Sequence, residues 1–187
     1  MATAGDGINT TLDRQSDTRV NSGCEGLDNI LSGGFPKGRI YLVEGDPGAG
    51  KTTLALQFVR EGTSKGERAL YITLSESRTD LAHAAQSHGM LLDNIEIVEL
   101  PPDEGDLLPE QQYTVFHPAE VELNDRMQRI VKEIQRVRPD RLVIDALSEL
   151  RMLAKDPLRY RRQILLLKDF MADQKCTALL LDDHSSR

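Results

Sequence analysis

Short, nearly unbroken apolar runs punctuate this chain, and between them apolar residues recur every three or four positions. The runs at 39–44, 69–74, 95–100, 141–145 and 177–182 have strand length, and little interrupts their apolar character. The intervening spacing is helical. A helix is expected from Lys51 to about Glu61, with Gly62 as its cap, and another opens at Ser77, where Asp80 completes a capping box, and closes at Gly89. Leu123, Met127, Ile130, Val131 and Ile134 mark a third helix ending before Pro139, and Tyr160, Ile164, Leu167 and Met171 mark a fourth. Ahead of the first strand, Leu27, Ile30 and Leu31 share one face of a short helix stopped by Gly33 and Gly34, and Pro36 and Gly38 then mark a turn. Strands alternating with helices predict a three-layer α/β/α fold around a mostly parallel sheet covered on both faces.

Two stretches break the rhythm. Residues 1–18 are rich in Thr, Asp, Gly and Ser without periodic apolar positions, so they read as a mobile tail ahead of one domain spanning 19–187. Residues 101–120 carry Asp103, Glu104, Asp106 and Glu110, several prolines, Tyr113 and Phe116. That loop is either a cover over a site or a solvated insertion.

Composition narrows the classes. Twenty-three basic against thirty acidic residues leave a net charge of −7, which disfavours a protein that grips nucleic acid through phosphates. No apolar run approaches the roughly 18–20 residues of a membrane span, and the N-terminus lacks the basic and apolar regions of a secretion signal, so a cytoplasmic location is expected. Cys24 and Cys176 form no C-x-x-C pair and the four histidines show no metal spacing, so buried free thiols are expected. Arg159, Arg161 and Arg162 around Tyr160 read as a solvated helix face, with contact to an acidic partner as the other reading.

The sharpest signal is Gly45-Asp46-Pro47-Gly48-Ala49-Gly50-Lys51-Thr52, which fits G-x-x-x-x-G-K-[ST] between an apolar strand and an amphipathic helix. That context lets backbone N–H groups and a helix N-terminus converge on an anion. Glycines at 45, 48 and 50 permit a path that L side chains resist, and Pro47 supplies no donor. The Lys51 ammonium suits β- and γ-phosphates, the Thr52 hydroxyl suits Mg²⁺, and Thr53 suits an α-phosphate or sugar. A carboxylate at the end of a neighbouring strand should complete the metal site, and Leu142-Val143-Ile144-Asp145 supplies one. For water activation Glu76 is the candidate, provided that its strand lies beside the phosphate-loop strand; it equally suits the first turn of the next helix. Glu44 and Glu149 compete less well.

The segments 22–38, 44–58, 66–76 and 141–150 together resemble the KaiC-type branch of the RecA-like ATPases, a likeness running from about Val20 to His184. The resemblance implies a RecA-like core that binds ATP and Mg²⁺ between subunits, often in hexameric rings, with Glu76 as catalytic carboxylate and Lys51 at the transferred phosphate. The family pairs two glutamates after its second strand, whereas this chain has Ser75-Glu76, which implies slow hydrolysis. Its core also continues past the strand corresponding to 177–181 into strands that bring basic residues to a neighbour's nucleotide, so the chain reads as C-terminally truncated. Autophosphorylation and action on DNA are family options that the residues do not favour: the family's adjacent phosphorylated Ser/Thr pair is not matched, and the segment after Asp145 has no basic or aromatic groove signature.

Overall fold

The computed structural model describes residues 18–101 and 118–184; the acidic stretch 102–117 and residues 1–17 lie outside them. Five strands form one parallel sheet: β3 (Ile40–Gly45), β4 (Ala69–Thr73), β5 (Ile95–Glu99), β6 (Arg141–Asp145) and β7 (Thr177–Asp183). Their spatial order is β3-β7-β6-β4-β5. A separate antiparallel pair, β1 (Arg19–Val20) with β2 (Phe35–Pro36), clasps the N-terminal segment. Thr18 is therefore held, its carbonyl accepting the Lys37 N–H at 2.8 Å.

Alternation along the strands builds the layers. Tyr71, Val143, Leu179 and Leu181 face one side and pack on α2 (Lys51–Ser64) and α3 (Arg78–Ser87) through Ala55, Leu56, Phe58, Val59, Leu81 and Ala85. Leu70, Ile72, Leu142, Ile144, Ala178 and Leu180 face the other. There they meet α4 (Pro118–Val137), α5 (Leu147–Ala154) and α6 (Pro157–Ala172) through Leu123, Met127, Ile130, Ile134, Leu150, Leu167 and Met171. The central strands β4 and β6 are buried at every residue, including the charged Arg141 and Asp145 at the two ends of β6, while the edge strands β3 and β5 are not. Each fully buried aliphatic residue contributes roughly 1.5–3 kcal/mol relative to exposure.

Local expectations fare unevenly. The capping box at Ser77 forms, with the Asp80 N–H donating to the Ser77 hydroxyl at 3.1 Å. Gly62, however, caps nothing: α2 runs through it to Ser64. A Cβ there would lie 2.5 Å from Cδ of Arg141, so the glycine makes room for a cation. Arg141 is almost wholly buried, ion-paired to Glu67, donating to the carbonyls of Asn21 (2.6 Å) and Phe58 (2.9 Å), and stacked on the Phe58 ring. Leu27 in α1 (Glu25–Ile30) and Leu31 at its C-cap pack inward, but Ile30 does not share their burial and is 80% exposed. Cys176 is buried, and that burial pushes its thiol up to about 12; Cys24 is only half-buried. On α6, Arg161 and Arg162 are exposed as expected of a solvated face, but Arg159 is half-buried. Tyr160 turns back to lie under the Arg151 guanidinium. Helix α5 was not foreseen as a separate element, since its eight residues follow β6 with only Ala146 between.

Candidate nucleotide site

Parallel strands bring their C-terminal ends to one edge of the sheet, the edge where open α/β sheets bind ligands. Gly45 pairs with Asp183 across β3 and β7, and Thr73 pairs with Asp145 across β4 and β6. Residues far apart in sequence thus gather round the N-terminus of α2. A cavity of about 380 Å³ opens there, lined by Pro47, Gly48, Gly50, Lys51, Thr52, Thr53, Ser75, Glu76, Asp145, Ala146 and Asp183.

The loop has the shape its glycines imply. Gly48 and Gly50 adopt φ of 82° and 89°, and no atom lies within 4 Å of where a Cβ would stand on either, so the cradle is open. The first α-helical bond of α2 runs from the Leu54 N–H to the Gly50 carbonyl at 3.0 Å, leaving the amides of Lys51, Thr52 and Thr53 without intrahelical acceptors. Such amides, with the helix dipole behind them, suit phosphate. Asp46 and Ala49 shape the loop rather than line the cavity: the Ala49 N–H donates to the Asp46 carbonyl at 3.1 Å, and Ala49 packs under Gly45.

Lys51 is folded back on its own loop. Its ammonium donates to the carbonyls of Gly45 and Asp46, both at 2.9 Å, and pairs with Asp183 at 3.0 Å. Thr52 donates its hydroxyl to Asp145 Oδ2 at 3.1 Å, and Tyr71 donates to the same oxygen at 2.5 Å. The hydroxyl and carboxylate are hard oxygen donors of the kind Mg²⁺ takes, side by side at the mouth of a phosphate cradle, so the residues present fit that ion. Among the described residues no three His, Cys, Asp or Glu side chains form a metal cage.

Burial pushes the Asp145 carboxyl above the usual carboxylate range; the hydrogen bonds from Tyr71 and Thr52 pull the other way, and Asp183 adds to the rise. Tyr71 is pushed well up by burial and by the Asp145 charge. Glu76 is raised by burial, then by Asp145, Asp80 and Asp183.

The condition set for Glu76 fails, yet the residue reaches the cavity. β4 does not lie beside β3; β7 and β6 stand between them. Because β4 neighbours β6, Glu76 emerges beside Asp145 instead. Thr73 fixes the turn, donating its hydroxyl to the Glu76 carbonyl at 2.8 Å and accepting the Glu76 N–H at 3.0 Å. Glu44 and Glu149 do not line the cavity. One residue lining the cavity and one in contact with its Thr53 escaped the sequence reading. Asp183 ends β7 as Asp145 ends β6, a parallel legible in Leu179-Leu180-Leu181-Asp182-Asp183. His88 places Nε2 3.4 Å from the Thr53 hydroxyl, and nothing in its sequence context signalled that.

The comparisons agree with this geometry. The family described as "ATPase: KaiC" matches residues 20–187. The circadian clock oscillator protein KaiC of Picosynechococcus sp. is 36% identical over 137 residues, 73% of this chain and 25% of that protein. KaiC 1 of Synechocystis sp. is 35% identical over 137 residues, and KaiC of Thermosynechococcus vestitus 37%; each match covers 73% of this chain and 24% of the relative. The aligned part of this chain thus spans about a quarter of the length of these relatives. A parallel sheet between two helical layers, a glycine cradle at a helix N-terminus and a match across residues 20–187 together place the chain in the KaiC family of RecA-like P-loop ATPases.

Proposed function

We propose that residues 19–187 act as one Mg²⁺-dependent ATP-binding unit that hydrolyses ATP slowly. The observation carrying this reading is that Lys51, Thr52, Asp145 and Glu76, drawn from two strand ends and one helix, line a single cavity. The amides of Gly48, Gly50, Lys51, Thr52 and Thr53 and the Lys51 ammonium hold the phosphates, while Thr53 lies where an α-phosphate or sugar would pass. Thr52 and Asp145 hold the metal, which when bound neutralises charge on the β- and γ-phosphates. Glu76 orients water and accepts its proton, a role that its raised affinity for protons supports. Ser75, in place of a second acid, supports slow turnover.

The printed name of the relatives, a circadian clock oscillator protein, supports a regulatory role, and a cytoplasmic assembly of several copies is part of the same proposal. The net charge of −7 disfavours nucleic acid as its partner. A binding module with little turnover is the second reading, favoured by Ser75 and by a Lys51 already engaged by its own loop.

Single-turnover hydrolysis decides between them. The enzyme reading expects phosphate release that falls by about 10²–10⁴-fold in Glu76→Gln. Release no faster than in that variant rejects hydrolysis while leaving nucleotide binding intact.

A further inference from the structure

Among the described residues Lys51 is the only cation lining the cavity, against the three carboxylates Glu76, Asp145 and Asp183. All three of its N–H donors have partners. Two partners belong to the loop itself, and carbonyls that close to the lysine's own backbone follow it wherever it moves. Asp183 is different. It comes from β7, is fixed by its register with Gly45, and is steadied by the Ser148 hydroxyl, which donates to its other oxygen at 3.2 Å. The lysine end of the pair is sheltered, the Lys51 side chain being 10% exposed, whereas the Asp183 side chain is 44% exposed, so solvent screens the attraction in part.

We propose that Asp183 is a built-in competitor for the phosphate-binding lysine, a latch that a nucleotide must displace and that makes binding depend on the metal. This rests on the reading of Gly45–Thr53 as a nucleotide site. A polyphosphate entering the cradle needs the Lys51 ammonium, and transferring that ammonium leaves Asp183 as an uncompensated negative charge near the incoming anion. Without a divalent cation the cavity then opposes a highly charged nucleotide with three carboxylates. With one, the accompanying positive charge offsets the released Asp183. The latch therefore discriminates against free nucleotide in favour of its metal complex.

The test is equilibrium dialysis of radiolabelled ATP against the full chain, in EDTA and in Mg²⁺, for wild type, Asp183→Asn, Lys51→Ala and the double variant. Asp183→Ser serves as a second removal of charge, and thermal melting checks that each variant is folded. In EDTA, Asp183→Asn and Asp183→Ser should bind about three- to tenfold more tightly than wild type, with a smaller gain in Mg²⁺. The gain should shrink below about twofold in the Lys51→Ala background, because only its long-range part survives there. Unchanged or weaker binding in EDTA, or an equal gain with and without Lys51, overturns the latch. Weaker binding confined to Mg²⁺ overturns it too and makes Asp183 a support of the metal. Failure of the underlying reading looks different: wild type would bind no ATP even with Mg²⁺, and the latch would fall with it.

Discussion

Asp145 meets conflicting demands, since metal binding needs its charge while burial opposes that charge. Tyr71 and Thr52 both donate to one of its oxygens, which offsets the burial only in part. Replacing it with Asn keeps an acceptor and removes the charge, so Asp145→Asn should raise the stability of the nucleotide-free protein by about 1 kcal/mol at neutral pH. Its sign with pH follows from the raised folded value. The native carboxyl holds a proton that the unfolded chain has already released, so wild type gains on the variant as pH falls through that value. Urea midpoints of the two proteins measured from neutral to mildly acidic pH should converge; a constant gap would show that Asp145 is not the titrating group. Metal-dependent ATP binding should move the other way, weakening over the same window as Asp145 and Glu76 take up protons.

Among the elements, α2 carries the largest local surprise. Gly62 reads as punctuation in the sequence, because a glycine a helix-length beyond a start signal usually ends the helix. What it serves is a contact with Arg141, some eighty positions away in the chain, and no local pattern reveals that. Gly62→Ala should therefore cost about 1–3 kcal/mol through overpacking, although alanine is the better helix former. A melting temperature at or above wild type would refute this. Arg141→Met leaves Glu67 without its partner, and the carbonyls of Asn21 and Phe58 lose their donor. Loss of about 3–5 kcal/mol in chemical unfolding is the expected result. By contrast the capping box of α3 was legible, since Ser77 and Asp80 make their bonds within three residues. Ser77→Ala should cost about 1 kcal/mol in the same assay.

For the whole molecule, apolar runs and helical spacing suffice to name the class and to count the strands of the main sheet. Strand order is another matter: which strands neighbour one another depends on long-range packing, and the placement of Glu76 turned on it. The sequence reading made the role of Glu76 conditional on β4 lying next to β3, whereas the sheet sets β4 next to β6, and the shared edge of a parallel sheet still delivers Glu76 to the cavity. The phosphate cradle was legible because its chemistry is local, a strand, three glycines and a helix start. Asp183 was not, because its importance arises from register with Gly45. The central claim is that this cradle binds ATP through Lys51. Equilibrium dialysis of ATP with Mg²⁺ against wild type and Lys51→Ala tests it most directly. The account predicts saturable binding by wild type and a loss of at least about 100-fold in the variant, on the order of the cost of removing a buried charge-assisted contact. Undiminished affinity in a folded Lys51→Ala protein would contradict it.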